Sequence, residues 1–407
     1  MPTEPCLVPS GRSRPRLEVA DIFRAAGPAF LARFTPSYEQ RKVMTAIEQC
    51  RTAVLGGHLD VCAACGHQQP AYNSCRNRHC PKCQGLAQAR WLAKRRERIL
   101  PTKYFHVVFT LPEQLRPLVR RNQKLLYDLL LECAARTLME FGESRLHAQL
   151  GITTVLHTWT RDLRFHPHAH CIVTGGGLHL DGRRWIPTSK RFLFPVDLMS
   201  SVFRGKFAEG LSRLYDRQQL DLGGSCARFA DPSCFRQLTH SLFQKPWVVY
   251  AKPPFGGAEQ VFAYLGRYTH RVGMSNRRLL HFDGARVVIK TKGRKTAVID
   301  AVEFIRRLLL HVLPSGFVKI RHYGLVAAAN IASKLVIAHR CLLEQQPEPP
   351  AELPVKSVPS TPTAPQTWRE LLLVLTGIDL SMCQACGALA VQRQPLPSRA
   401  SSPPDTS

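Results

Sequence analysis

The chain has 407 residues and a formal charge of +27, from 56 lysines and arginines against 29 aspartates and glutamates. This length allows two or three domains with a full core, and such positive charge is typical of proteins that bind a polyanion, usually nucleic acid, with an anionic membrane surface as the weaker alternative. The first residues have no apolar signal-peptide core, and no apolar run reaches ~18 residues, so we expect a cytoplasmic, nucleoid-associated protein without a membrane span.

The chain begins with a variable lead over residues 1–35 and a small domain over residues 36–100. A helix is predicted from Ser37, which can act as N-cap because Gln40 follows three residues later. The segment from Cys62 to Cys83 is rich in cysteine. In a reducing cytosol, paired cysteines indicate metal ligands before disulfides.

The cysteine-rich segment predicts a zinc-ribbon-like site. It holds two CxxC pairs, which are Cys62 with Cys65 and Cys80 with Cys83. Each pair can form a knuckle whose two sulfurs point at one ion, and two knuckles complete the closed tetrahedral sphere of a structural zinc. We therefore expect one zinc ion on these four sulfurs, with Cys75 and His79 as alternative ligands. A redox dithiol is the weaker interpretation.

Basic residues surround the cysteines and continue into a predicted helix, "LAQARWLAKRRERIL". Such charge runs are usually solvated faces, but beside a zinc module they favour contact with DNA. The residues are Arg76, Arg78, Lys82, Arg90, Lys94, Arg95, Arg96 and Arg98.

Residues 101–335 alternate strand-like and helix-like segments, which predicts an α+β domain. "YFHVVFTL", "GITTVLHTW" and "FHPHAHCIVTG" are predicted strands, and a long helix is predicted between the first two. The three glycines that end the third strand indicate a turn. Residues 336–407 contain a Pro-rich linker and a short module with a lone CxxC pair, Cys383 and Cys386.

Three histidines, His166, His168 and His170, alternate along the third strand and so share one face. Pro167 cannot donate a hydrogen bond to a neighbouring strand, which places His166 at the start or edge of the strand. His168 and His170 are therefore the expected ligands of a divalent metal. Two histidines leave most coordination positions open, as a catalytic metal requires.

A second motif, "AEQVFAYLGRYTHRVGMSNRRLL", places Gln260, Tyr264 and Tyr268 on one stripe of a predicted helix. The simpler interpretation is an aromatic stripe packed in the core. Several arginines surround the stripe and favour a phosphate-binding environment, in which a tyrosine can attack a phosphodiester. The chain lacks a P-loop motif, which agrees with strand transfer that needs no ATP.

Four motifs occur together and in order: "YNSCRNRHCPKCQ", "LRFHPHAHCIVTGGGL", "YLGRYTHRVGMSNRRLL" and "FVKIRHYGL". With them the chain resembles the insertion-sequence-91 family of rolling-circle transposases, which are HUH endonucleases. The resemblance implies an HUH palm, an antiparallel sheet flanked by helices, preceded by a zinc-binding DNA-recognition domain. It also implies Mg²⁺ or Mn²⁺ on His168 and His170, with Ala169 between them, and nucleophilic Tyr264 and Tyr268 acting on single-stranded DNA.

Two assignments stay open in the sequence. For a third protein ligand of the catalytic metal, Gln260 comes first because it shares the tyrosine face, followed by His166 and His270. The C-terminal pair, Cys383 and Cys386, is either half of a second zinc site or has no metal. Cys341 and His339 could complete it only if the linker folds back.

Three functions remain in competition. The first is a transposase that nicks single-stranded DNA at the ends of an element and transfers it to target DNA through a 5′-phosphotyrosine. The second is a plasmid rolling-circle replication initiator or relaxase with the same chemistry. The third is a non-catalytic zinc regulator that binds DNA. The zinc motif before the histidine row favours the transposase, and the sequence leaves the oligomeric state open.

Overall fold

The computed structural model describes residues 17–83, 85, 88–91, 98–189, 193–252, 273–345, 367, 370, 373 and 379–398. Its helices are α1 (Val19–Arg33), α2 (Tyr38–Gln49), α3 (Arg116–Arg121), α4 (Gln123–Leu146), α5 (Val196–Asp216), α6 (Pro232–Ser241), α7 (Ala301–Leu309) and α8 (Lys334–Glu344). Its strands are β1 (Gly57–Cys62), β2 (Gln68–Tyr72), β3 (Tyr104–Thr110), β4 (Ala148–Trp159), β5 (Phe165–His179), β6 (Trp185–Pro187), β7 (Val249–Lys252), β8 (Leu279–Phe282), β9 (Arg286–Lys290), β10 (Thr296–Asp300), β11 (Ile320–Gly324) and β12 (Val391–Leu396).

The largest sheet is antiparallel and has the strand order β11-β4-β5-β3-β7, with β6 paired to the far end of β5. β5 therefore lies at the centre, with β4 on one side and β3 on the other. The three strands predicted from "YFHVVFTL", "GITTVLHTW" and "FHPHAHCIVTG" are β3, β4 and β5, so these predictions are confirmed.

One face of this sheet is covered by α4 and α5, which form the largest core with it. Alternate residues of each strand point into this core, as the two-residue repeat of a strand requires. The other face of the sheet carries the histidines. The core includes Phe105, Phe109, Ile152, Ala169 and Cys171 from the strands and Tyr127, Leu130, Phe203 and Phe207 from the helices.

The long helix predicted between β3 and β4 is interrupted at Asn122, which separates α3 from α4. The Asn122 side chain donates to the carbonyl of Asp221 (3.0 Å) and accepts from its N–H (2.7 Å). These two hydrogen bonds hold the segment after α5 against the break. A non-helical backbone at Asn122 is thus stabilised by a distant segment, which periodicity in the sequence cannot reveal.

The turn predicted at the three glycines is wrong, because β5 continues through them to His179. Neighbouring backbone approaches each glycine closely. A Cβ would lie 2.9 Å from the Lys103 carbonyl oxygen at Gly175, 2.4 Å from the Ile186 oxygen at Gly176 and 2.6 Å from the Gln149 oxygen at Gly177. The run therefore serves close packing inside a central strand.

A second core packs the two N-terminal helices against a later part of the chain. It is formed by α1, α2 and α7 with the antiparallel sheet β10-β9-β8. Within the segment predicted as a lead, Ile22 and Phe23 of α1 are fully buried in this core. The predicted cap of α2 is confirmed, because Ser37 and Gln40 exchange side-chain hydrogen bonds with each other's backbone N–H (2.9 and 3.3 Å).

A third, small antiparallel sheet has the order β12-β1-β2 and contains Cys62 of the N-terminal module. Its central strand, β1, pairs with β2 on one side and with the C-terminal β12 on the other. Helices and antiparallel sheets thus form separate layers, and the predicted α+β class is confirmed. Among the residues that the structure describes, no helix is both long and apolar enough to cross a membrane.

Candidate metal centres

The histidine face of the large sheet brings three imidazoles together. His157 of β4 lies directly opposite His168 of β5, and His170 follows two residues later on the same face. Their potential ligand nitrogens all lie within 4.8 Å of one another. The ring centroid of His157 is 5.4 Å from that of His168 and 4.1 Å from that of His170. The three side chains can therefore hold one metal ion.

Hydrogen bonds orient the two converging histidines of β5, His168 and His170. His168 Nδ1 lies 2.6 Å from the carbonyl oxygen of His166. Because a carbonyl can only accept, this nitrogen carries the proton and Nε2 has the free lone pair. His170 Nδ1 lies 2.7 Å from Nε2 of His106 on β3. With His170 as donor there, its Nε2 would carry the lone pair that a metal needs, an arrangement common to metal-binding histidines.

Burial keeps these imidazoles neutral. It lowers the pKa of His168 to about 4 and holds the pKa of His170 well below the usual value. Burial, followed by the charge of Lys252, lowers the pKa of His106 to about 4. Neutral imidazole is the form that binds a metal, so the site is in its binding form at neutral pH without a proton having to leave.

Strand geometry explains why these residues converge. The pairing of β4 with β5 is irregular between His157 and Trp159, next to Pro167. A bulge at the start of β5 therefore accommodates the proline, and regular pairing begins where the histidines face each other. Ala169 points to the opposite face and is fully buried in the core. A small residue fits there because the helices pack against it.

The sequence did not identify His157, which lies in a predicted strand but belongs to no motif. His166 is half-buried, with its ring centroid 5.1 Å from that of His168, and does not belong to the converging group. The predicted ligand Gln260 and nucleophiles Tyr264 and Tyr268 lie in the stretch 253–272, outside the described residues, as does His270.

The first cysteine cluster lies between α2 and the segment after β2. Cys83 Sγ is 3.2 Å from Cys50 Sγ and 3.5 Å from Cys75 Sγ. Four sulfurs of this cluster lie within 4.8 Å of one another, near the separation of about 3.8 Å that a tetrahedral Zn–S₄ site requires. Its members are Cys50, Cys75, Cys80 and Cys83.

The second cluster lies at the opposite end of the β1–β2 hairpin. Cys62 Sγ is 3.7 Å from Cys386 Sγ, and Cys65 Sγ is 3.8 Å from Cys383 Sγ. The four sulfurs again lie within 4.8 Å of one another. The backbone N–H groups of Cys386 and Ala385 lower the pKa of the Cys383 thiol to about 6, which favours the metal-binding thiolate.

The prediction that both N-terminal CxxC pairs share one ion is therefore wrong. Cys62 and Cys65 lie at the tip of the hairpin, whereas β2 returns the chain to its base, where Asn73 hydrogen-bonds with Arg51 and Gly56. Strands of this length separate tip and base by roughly 15–20 Å. Each pair instead belongs to a different cluster, and Cys50 and Cys75 complete the one at the base.

The alternative ligand His79 serves packing. It is buried, its Nδ1 lies 3.1 Å from Asn77 Oδ1, and its Nε2 accepts the N–H of Leu313 at 3.2 Å. Two basic residues beside the cysteines are also held within the protein. Arg78 donates to the Phe317 carbonyl at 2.8 Å, and Lys82 pairs with Glu18 at 2.6 Å.

An arginine-lined cleft of about 740 Å³ lies near the start of β5. Six arginines line it together with one carboxylate, Glu303, whose pKa is lowered to about 2 by Arg306 and then Arg307. The charge of Arg116 also reaches His166, where it adds to burial in lowering the pKa. A phosphate chain is the kind of partner that such a cleft attracts. The arginines are Arg116, Arg120, Arg121, Arg164, Arg306 and Arg307.

Comparison with known proteins agrees with this arrangement. Residues 22–111 match the family model described as "Transposase zinc-binding domain", and residues 151–334 match the one described as "Putative transposase". The first therefore includes the cluster at the hairpin base, and the second includes all three converging histidines.

Two relatives match over most of the chain. "Putative transposase y4qJ" of Sinorhizobium fredii is 44% identical over 378 residues, covering 91% of this chain and 92% of the relative. "Transposase for insertion sequence element IS801" of Pseudomonas savastanoi pv. phaseolicola is 26% identical over 371 residues, covering 86% of this chain and 82% of the relative. No solved structure matches the chain significantly. The length and identity of these matches, with both family models in order, show that the chain belongs to the insertion-sequence-91 family of transposases.

Proposed function

We propose that this transposase is an HUH endonuclease that nicks and rejoins single-stranded DNA through a 5′-phosphotyrosine, and so mobilises an insertion sequence by rolling-circle transposition. The observation that carries this proposal is the convergence of His157, His168 and His170 on one face of the large sheet. Three converging imidazoles in a DNA-processing protein supply a metal site with vacant positions for a phosphate.

The catalytic ion would be Mg²⁺ or Mn²⁺, held by His168 and His170 with His157 as the third ligand. These ions favour oxygen ligands, so their remaining positions suit water and phosphate oxygens, and the fit requires a substrate phosphate beside the imidazoles. When bound, such an ion neutralises charge that develops on the scissile phosphate. Gln260 stays a further ligand candidate from the sequence.

The nucleophile would be Tyr264 or Tyr268. The tyrosine hydroxyl gives its proton to water and its oxygen forms a bond to phosphorus. The bond from phosphorus to the 3′ oxygen breaks, and that oxygen takes a proton from water and leaves as a 3′-hydroxyl. The new phosphotyrosine conserves the bond energy, so a 3′-hydroxyl can later reverse the step without ATP. Two tyrosines allow one to retain the first strand while the other cuts the second.

The rest of the chain would bind and recognise DNA. A structural zinc ion on Cys50, Cys75, Cys80 and Cys83 would stabilise the N-terminal recognition domain. The arginine-lined cleft beside His166 would hold the phosphates of the strand that leads to the histidines. The partners are then single-stranded DNA at the element ends and target DNA.

A nicking assay on labelled single-stranded element ends tests the proposal. His168→Ala and His170→Ala should abolish Mn²⁺-dependent cleavage, and His157→Ala should reduce it sharply. DNA binding should be almost unchanged in all three, because affinity comes from arginine and lysine. His322→Ala is the matched control, since His322 hydrogen-bonds with Thr153 (3.0 Å) and does not belong to the converging histidine group.

Normal cleavage by the His168→Ala, His170→Ala double variant would overturn the metal-site assignment. Absence of any cleavage by the wild-type protein, with intact DNA binding, would instead favour the non-catalytic regulator.

A further inference from the structure

We propose that Cys62, Cys65, Cys383 and Cys386 bind a second zinc ion, which fastens the C-terminal segment to the N-terminal sheet. The four sulfurs belong to two pairs that are more than 300 residues apart in sequence, with cross-pair Sγ distances of 3.7 and 3.8 Å. This site lies outside the histidine centre and differs from the cysteine cluster at the hairpin base.

The two pairs are built in the same way. The sequences are "CAACG" and "CQACG", and the glycine that ends each has a positive φ, +71° at Gly66 and +76° at Gly387. Gly66 donates its N–H to the Cys62 carbonyl and Gly387 donates to the Cys383 carbonyl, each at 2.9 Å. Each pair therefore forms a tight knuckle that directs both sulfurs to one side.

The sulfur positions suit a metal ion. A Zn–S bond of about 2.3 Å places tetrahedral sulfurs about 3.8 Å apart, which agrees with both cross-pair distances. A disulfide would need sulfurs about 2.05 Å apart. Four thiolates suit zinc or an iron–sulfur cluster, and we assign zinc because two opposed knuckles on a small sheet form a closed mononuclear site.

The backbone on both sides of the site is fitted to the same contact. β12 pairs with β1 along its whole length, from Cys62 opposite Val391 to Gly57 opposite Leu396. Beyond the strands, Ala63 donates its N–H to the Ala390 carbonyl at 2.9 Å. The knuckles thus lie at one end of a continuous strand pair, and the metal closes that end.

Side chains and a glycine secure the rest of the strand pair. Arg393 pairs with Asp60 at 2.8 Å, and the Ser398 hydroxyl donates to the Val54 carbonyl at 2.7 Å. Gly56 has a φ of +64°, and a Cβ there would lie 2.9 Å from the Leu396 carbonyl oxygen. The N-terminal module therefore fits the C-terminal strand closely. Zinc would hold the two segments together although a long stretch of chain connects them.

The joined segments also enclose a groove of about 760 Å³. One wall comes from the hairpin and the residues at its base, with Arg51, Tyr72 and Asn73, and the other from the C-terminal knuckle, with Met382 and Gln384. Loss of the second zinc would open this groove and leave β1 with one unpaired edge.

Metal content of the full-length protein tests the proposal. Wild type should contain about two zinc ions per chain, and the Cys383→Ser, Cys386→Ser double variant about one. Cys234→Ser is the matched control, because Cys234 belongs to neither cluster, and it should retain two. Replacement by Co²⁺ should give thiolate-to-cobalt absorption that falls by about half in the double variant.

Hydrogen exchange supplies a second readout. Amides of β1 should exchange faster in the Cys383→Ser, Cys386→Ser variant, whereas those of α4 should be unchanged. The proposal is overturned if wild type holds one zinc ion, if the double variant retains two, if the metal is iron with inorganic sulfide, or if β1 protection is the same in both proteins.

Discussion

His106 provides the sharpest test of how the histidine centre is oriented. It is buried on β3, and its Nε2 lies 2.7 Å from His170 Nδ1. His106→Ala removes this partner without removing a ligand. Loss of such a partner typically weakens metal affinity about 10–100-fold, which corresponds to about 1.4–2.8 kcal/mol of binding free energy.

Calorimetric or electron-paramagnetic-resonance titration with Mn²⁺ measures this change. His106→Leu should weaken binding as much as His106→Ala, because it restores apolar volume but no hydrogen bond. His106→Gln should recover part of the affinity through its amide oxygen. His322→Ala should bind like wild type. Undiminished affinity in both His106→Ala and His106→Leu would refute the orienting role.

Three further predictions concern stability and DNA binding. Phe109→Ala, at a fully buried position of the main core, should lower the free energy of unfolding by about 3–5 kcal/mol, measured by urea denaturation. Burial lowers the pKa of His311 from 6.5 to about 4. The unfolded chain therefore takes up a proton at a higher pH than the folded protein does, and the free energy of unfolding falls as the pH drops from 6.5 to 4. His311→Gln should remove that contribution, up to about 3 kcal/mol across the window, and an unchanged pH slope would contradict it. For DNA binding, the double variant Arg120→Gln, Arg307→Gln should reduce the slope of the logarithm of the association constant against the logarithm of salt concentration. The reduction should be about 0.7 for each phosphate that the protein no longer neutralises. An unchanged slope would mean that the DNA does not bind in this cleft.

Local signals in the sequence were sufficient for the three central strands, for the start of α2 and for two of the three converging histidines. The cap formed by Ser37 and Gln40 and the alternation of His168 and His170 depend on neighbours within a few residues. Such neighbours fix which face a side chain occupies. These features were accordingly predicted where the structure has them.

Associations between distant segments could not be predicted in the same way. His157 joins the histidines only through the register of β4 with β5, and Cys50 joins its cluster only because the β1–β2 hairpin returns to the end of α2. The role of Cys383 could not be decided from the sequence because its partner strand lies beyond a Pro-rich linker. In each case the sequence shows the residue but not the contact between distant segments that brings it to its site.

The central claim is that a tyrosine becomes covalently joined to DNA, and mass spectrometry of the trapped adduct tests it most directly. Labelled single-stranded DNA from an element end is incubated with the protein and Mn²⁺, then digested for peptide identification. We expect the 5′ phosphate on Tyr264 or Tyr268, with Tyr264 favoured as the first nucleophile because Gln260 precedes it by one turn of the predicted helix. Each single Phe variant should still form some adduct, and the double variant should form none. Adduct on neither tyrosine, or undiminished adduct in the Tyr264→Phe, Tyr268→Phe variant, would contradict the mechanism.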